Sequence, residues 1–287
     1  MADDTITKRS FTPFLRRFAR KFFWMLLVLW GITIVSFVVI HLAPGSPTDM
    51  ETTLNPLAGE AARRRLDALY GLDRPLYVQY WDWLCRLVHF DFGVSMSADG
   101  RPVMDKILER LPLTVGMNVA SLILTLLISV PIGVYSACRR NRLFDRIVTV
   151  LVYIGFAMPS FWFALLLMLF FGIDLNWLPL SGVVSLDYPS LGTWGKICDV
   201  AKHLALPITV YTVGSLAGMS RYMRACMLEV LDQDYMLTAR AKGLPQRTVI
   251  WRHGLRNALL PLITLLGLSV PGLIGGSVII ESIFALP

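Results

Sequence analysis

Long runs without a single Asp, Glu, Lys or Arg alternate with charged segments along this chain. The uncharged runs are residues 22–48, 111–138, 147–173, 203–220 and 257–280. Each approaches the ~20 residues that cross a bilayer as a helix. Soluble core helices of such length would show polar faces at 3.6-residue spacing, and these runs do not. The pattern therefore predicts an all-α, polytopic transmembrane helical bundle with five spans. Residues 22–42 form the first helix and 43–110 an external segment. The core is 111–287, with helices near 112–137, 147–172, 203–220 and 257–280. Composition agrees, with 55% of 287 residues hydrophobic and 16% charged, and a positive mean hydropathy.

Charge assigns the sides. The tail 1–21 carries six basic and two acidic residues, 139–146 four and one, and 221–256 seven and three. The intervening segments, 49–110 and 174–202, are slightly acidic, so the basic excess of the chain lies on one side. The positive-inside rule places the N-terminus and 221–256 in the cytoplasm. The first run is longer than the apolar part of a secretory signal and is followed by no small-residue cleavage pattern, so it reads as a retained span.

Topology accounts for the basic charge without nucleic acid, since there is no zinc-ligand spacing and no basic-aromatic RNA-binding motif. No ionisable residue lies deep within a span, which disfavours coupling to an ion gradient. Nor is there a phosphate-binding Gly-x-x-x-x-Gly-Lys-Ser/Thr loop; Gly192-Thr-Trp-Gly195-Lys196 has the wrong spacing and lies outside. Uphill movement through such a protein needs energy from another subunit.

The histidines, His41, His89, His203 and His253, show no metal-ligand spacing. Cys138 and Cys226 fall inside, in a reducing compartment. Cys85 and Cys198 fall outside, where a bridge is chemically permitted but not required by spacing.

Within the spans, Gly214-x-x-x-Gly218 and Gly272-x-x-x-Gly276 each place two small surfaces on one helix face for close packing. Glycine that is merely tolerated in a membrane helix is the competing reading. Pro131, Pro159 and Pro271 remove backbone donors, so kinks are expected there, and Pro271-Gly272 is the candidate hinge. In the external segment, residues 60–70 carry a helix signal closed by Gly71. Leu76 to Phe90 follows with Tyr77, Tyr80, Trp81, Leu84 and Val88 on one face. That face must lie on the membrane interface, on the protein itself or on a docked external protein. The run Arg63-Arg64-Arg65 reads as a solvated face.

The polar insert 221–256 holds the run Asp234-Tyr-Met-Leu-Thr-Ala239-Arg240-Ala241-Lys242-Gly243-Leu244-Pro245. Asp234 is a suitable N-cap, Gly243 suits the left-handed position after a helix, and Pro245 lies just beyond. These delimit a short docking helix of ~12 Å. Ala239 and Ala241 are expected to keep its outer surface low, while Arg240 and Lys242 offer charge.

This run, followed by Trp251-Arg-His-Gly-Leu-Arg-Asn-Ala-Leu-Leu-Pro261, resembles the Glu-Ala-Ala-type cytoplasmic loop of permeases of ATP-binding cassette importers. More narrowly it is similar to the oligopeptide, dipeptide and nickel permease group. Leu42-Ala-Pro-Gly-Ser-Pro47, Gly71-Leu-Asp-Arg-Pro-Leu-Tyr-Val-Gln-Tyr80, Asp91-Phe-Gly93, Met158-Pro-Ser-Phe161 and Glu281-x-Ile-Phe284 extend the likeness from residue 12 onward. Two departures stand out. Thr238 occupies the position that is Glu in many permeases, and Pro287 falls before the further loop and sixth span of the group, which suggests a truncated sequence.

The resemblance implies the type I importer fold and a bacterial inner-membrane location. It implies a second homologous permease, two cytoplasmic ATPases that bind ATP and Mg, and an external substrate-binding protein. This chain would itself hold no cofactor. Asp234, Tyr235, Thr238, Ala239, Arg240, Ala241, Lys242 and Gly243 would couple to an ATPase. Gly214, Gly218, Pro271, Gly272 and Gly276 would serve packing or hinge motion. The implied cargo is peptide, with nickel or another small solute as the alternative. A self-contained channel or carrier would need intramembrane charges or a filter-like loop. A membrane enzyme would need convergent catalytic groups. Neither feature is present in the sequence.

Overall fold

The computed structural model describes residues 12–42, 71, 73–95 and 99–287. The helix signal over 60–70 and the arginine run 63–65 lie outside the described residues. The chain divides into two compact units, Met1–Ile107 and Leu108–Pro287.

In the first unit, α1 spans Thr12–Leu42. It starts within the expected tail, because Arg16, Arg17, Arg20 and Lys21 are good helix formers and extend the apolar run. Its side chains are exposed nearly all round, Trp24, Leu27, Trp30 and Val35 among them, as befits a helix whose solvent is lipid. α2, Leu76–Val88, lies on α1 through Tyr80. The Tyr80 and Thr33 hydroxyls are 2.9 Å apart, and the Tyr80 ring meets Phe37 edge-on at 5.3 Å. Gln79 bonds the His41 ring at 3.1 Å, and Trp83 also faces Phe37. The expected face is thus split: Tyr80 docks, whereas Tyr77, Trp81 and Val88 remain exposed.

Most of the second unit is helical. α3 is Val103–Cys138 and crosses the unit boundary. α4 is Leu143–Ala157; α5 is Ser160–Leu167, extended by a π turn over Met168–Asp174. α6 is Thr193–Leu231 and α7 is Asp234–Ala241. α8 runs Gln246–Ser269, α9 Gly272–Gly275 and α10 Val278–Ile283.

α6 organises this unit. Leu206 and Val210 pack with Met117, Ala164, Ile280 and Phe284. Farther along the same helix, Met223, Cys226 and Met227 pack with Val134, Ala137, Ala258 and Leu262. By length and apolarity alone, α1 and α3 pass as membrane spans, and two bent helix pairs, Leu143–Ala157 with Ser160–Asp174 and Gln246–Ser269 with Gly272–Ile283, pass as two more. α6 is set apart by polar side chains such as His203, Thr212 and Ser220, all buried. A helix enclosed by other helices meets protein rather than lipid, and Thr or Ser there bonds to neighbours. Thr212 does so, bonding Ser121 of α3.

The kink expected at Pro159 is present, and it is sharp enough that the run 147–172 is two helices rather than one: α4 and α5 meet at a bend of 99°. Pro159 drives Met158 into extended backbone, with ψ 128°. The fifth run also bends where Pro271-Gly272 was expected to kink it, by 44° between Ser269 and Gly272. Pro131, by contrast, sits inside uninterrupted α3. Within this chain a Cβ added at Gly214, Gly218 or Gly272 would meet nothing within 4 Å, whereas one added at Gly276 would stand 2.9 Å from the Thr114 Cγ2 of α3. Gly276 ends α9 with φ 56° and so does not share a helix face with Gly272. Close approach also occurs at Gly133, where an added Cβ would stand 2.7 Å from the Met223 Cβ.

Candidate functional site

α6 does not stop where its uncharged run ends at residue 220. It continues to Leu231, and after the turn through Asp232 and Gln233 the chain enters α7. α8 then returns from Pro245, whose carbonyl accepts the Thr248 and Val249 amides at 2.9 and 3.1 Å. The insert 221–256 is thus nearly all helix, an arm of three helices continuous with two of the long elements.

α7 is held by a small core of its own. Met236 and Ala239 pack on Val249, with Val230 and Leu231 flanking them. Gly254 makes this possible: a Cβ there would stand 2.7 Å from the Met227 Cε and 3.3 Å from the Met236 Cε. Its lack of a side chain lets two methionines from α6 and α7 seat against α8. A π turn over Val249–Gly254 widens α8 at that contact.

The ends of α7 differ in part from expectation. Asp234 is the first helical residue, while Gln233 is the cap and its side chain makes no capping bond. The Asp234 carboxylate still lies in the first turn, where a negative charge is favoured. The C-terminal stop is as read. The Gly243 amide donates to the Arg240 carbonyl at 2.9 Å, and Gly243 takes φ 74°, which a Cβ opposes.

The outer face is also revised. Ala239 does not keep the outer surface low; it is 7% exposed and points into the arm's core. The exposed positions are Asp234, Tyr235, Leu237, Thr238, Arg240, Ala241, Lys242 and Gly243. Two large apolar side chains stand among them, Tyr235 at 40% and Leu237 at 56% exposure. Thr238 turns its hydroxyl to the Asp234 carbonyl at 3.0 Å.

The base of the arm carries an ion pair that the sequence reading missed. Arg224 donates through Nε to one oxygen of Asp145 at 2.8 Å and through Nη2 to the other at 2.7 Å. The Ser136 hydroxyl and the Asn141 amide at 2.9 Å donate to the same carboxylate. The Asp145 side chain is only 5% exposed. The Arg224 guanidinium, outweighing the penalty of burial and helped by Ser136 and Asn141, holds this carboxyl well below the usual carboxylate range. Three elements, the end of α3, the start of α4 and the extension of α6, meet on one group. The available signal was Asp145 itself, the lone acid among four arginines in 139–146.

Among the described residues no group of His, Cys, Asp or Glu is arranged to hold a metal ion. The rings of His41, His89 and His203 each bond the carbonyl four residues earlier. All four cysteines are free.

A bundle of apolar helices carrying a self-packed helical arm defines a polytopic helical membrane protein. Comparison with known proteins gives the family. Residues 129–287 match the binding-protein-dependent transport system inner membrane component, and residues 14–118 match its N-terminal domain. The oligopeptide transport system permease protein AppB of Bacillus subtilis is 45% identical over 260 residues, covering 91% of this chain and 80% of that protein. The di/tripeptide transport system permease protein DppB of Pseudomonas aeruginosa is 35% identical, covering 94% and 83%. The dipeptide transport system permease protein DppB of Escherichia coli is 34% identical, covering 90% and 80%. The chain belongs to the family of binding-protein-dependent transport system inner membrane components, helical permeases of type I ABC importers.

Proposed function

We propose that this chain is one of two permease subunits in an ATP-driven importer of short peptides, and that α7 is the element through which ATPases drive it. The observation carrying the second part is the build of α7. Its inner face is fixed by Met236 and Ala239, while Tyr235 and Leu237 stand exposed beside Arg240 and Lys242. Exposed apolar groups ringed by charge, on an element locked to two long helices, suit a knob that seats in a partner's cleft. Pushing on such a knob moves α6 and α8 rather than bending a loop.

In this reading two cytoplasmic ATPases bind ATP and Mg and seat the α7 helices of the two permeases. An external binding protein delivers the cargo, which crosses between the permeases. Pro271 and Gly272, at the 44° bend, serve as the hinge. Peptide cargo is favoured by the names of the relatives, which are oligopeptide, di/tripeptide and dipeptide transport permeases.

The test is reconstitution of the purified assembly in vesicles with its binding protein outside. Labelled dipeptide should accumulate only with ATP at the ATPases, and peptide-loaded binding protein should stimulate hydrolysis. Stimulation by a nickel-loaded binding protein, with none by peptide, would overturn the cargo assignment.

A further inference from the structure

One face of α8 stands largely open in this chain, with Leu255 and Leu259 half-buried at its floor, and has an unusual chemistry. Arg247, Trp251, Arg252, Leu255, Arg256, Leu259 and Ile263 line a groove of about 810 Å³. In an ordinary α-helix residues five apart diverge by about 140°. The π turn over Val249–Gly254 adds a residue to the turn, so Arg247 and Arg252 come onto one side, and Arg256 follows one turn later. None of the three enters an ion pair or a side-chain hydrogen bond among the described residues. Trp251 is steadied at the edge of the groove by Tyr135, edge-on at 6.0 Å, and Arg139 lies over the Tyr135 ring at 5.8 Å.

Beyond Arg256 the same face turns apolar. Leu260 and Ile263 are exposed, and the advance from Arg252 to Ile263 is roughly 16 Å at the rise of an α-helix. That is about one leaflet of a ~30 Å hydrocarbon core. Positive heads, an indole at their level and a leaflet's depth of aliphatic side chains follow one another along a single helix.

We propose that this face binds an anionic phospholipid of the inner leaflet. Its phosphate would be held by Arg252 and Arg256 with Arg247 beside them, and its acyl chain would lie along Leu255, Leu259 and Ile263. Charge complementarity selects the occupant. A second copy of the same face would set three arginines against three, and a neutral lipid would leave them uncompensated. Basic clusters at the cytoplasmic end of a span attract acidic headgroups by roughly 1 kcal/mol per residue, which is about fivefold in binding. The inference is independent of the cargo assignment, because the site needs neither peptide nor ATP.

The test uses the full chain in its assembly, in bilayers containing phospholipid brominated on the acyl chain, which quenches nearby tryptophan. The Trp251 contribution is obtained by difference from Trp251→Phe. Brominated phosphatidylglycerol should quench Trp251 strongly and phosphatidylcholine weakly. In the Arg247→Gln, Arg252→Gln, Arg256→Gln variant the preference should fall on the order of a hundredfold, from fivefold per arginine. The triple Arg→Lys variant should keep most of it, which separates charge from folding, and rising salt should weaken it in the unaltered protein. Equal quenching by both lipids would overturn the proposal. So would no Trp251 quenching by either, which would mean that a partner subunit covers the face. Abolition of the preference by inorganic phosphate would assign the site to a free anion and also overturn it. None of these outcomes touches the uptake measurement that tests the importer reading.

Discussion

Arg224 takes both carboxylate oxygens of Asp145, at 2.8 and 2.7 Å, across 79 positions of sequence. The pair joins the root of the arm to the start of α4, and the Ser136 hydroxyl draws in the end of α3. If ATPases drive α7 as proposed, this contact would carry the motion to α4 and α3 as well as α6 and α8.

Breaking the pair from one side should be costly. Asp145→Ala leaves the guanidinium without its partner, and loss of one member of a buried pair costs about 3–5 kcal/mol. The Arg224 side chain, 29% exposed, retains some water, which puts the expected loss at the lower end. A fall in thermal unfolding temperature in detergent should accompany reduced uptake. Arg224→Lys, which keeps the charge but not the fork, should be milder in stability.

The pH dependence of this contact has a definite sign. The folded carboxyl titrates below its unfolded value, so its stabilisation is fully present above the ordinary carboxylate range. It is lost as pH falls through that range toward the depressed value. Between about pH 5.5 and 8 the difference in unfolding temperature between the native protein and Asp145→Asn should stay constant. It should narrow in more acid solution. A difference that instead shrank between neutral and alkaline pH would contradict the assignment.

Gly243→Val should damage the arm locally. With φ at 74°, a β-branched side chain incurs roughly 1–2 kcal/mol or more of backbone strain. Space is not the cause, since an added Cβ meets nothing within 4 Å. Gly243→Asn should therefore be tolerated far better than Gly243→Val in uptake assays, because Asn visits the left-handed region more readily.

Ala239 and Leu237 separate two kinds of damage on one helix. Ala239→Glu pushes a charge between Met236 and Val249 and should detach α7 from its bed, seen as protease sensitivity near residue 245. Leu237→Glu changes only an exposed side chain. It should leave proteolysis and unfolding temperature unaltered.

What the sequence discloses here is local. The bends at Pro159 and Pro271 follow from missing backbone donors, and the stop after α7 follows from Gly243 and Pro245. Each signal lies within a few residues of its effect. The direction of Ala239 was not legible, because an eight-residue helix of mixed polarity has no clear inner face until Val249 is placed beneath it. A Gly-x-x-x-Gly spacing shows that a backbone is open to approach, not which neighbour comes. Gly214 and Gly218 met none in this chain, whereas the isolated Gly133 and Gly254 received methionines. The Asp145–Arg224 contact depends on the meeting of α4 with α6, which no local pattern encodes.

The central claim is that ATPases drive peptide movement through the outer face of α7. Its most direct test is ATP-dependent uptake of labelled dipeptide by vesicles carrying the assembly, with Leu237→Glu compared with the unaltered chain at equal protein content. The account predicts that uptake and peptide-stimulated hydrolysis both fall by at least about tenfold, the loss of ~1.4 kcal/mol or more expected when a central interface anchor is removed. Undiminished uptake in Leu237→Glu, or accumulation that proceeds without ATP, would contradict it.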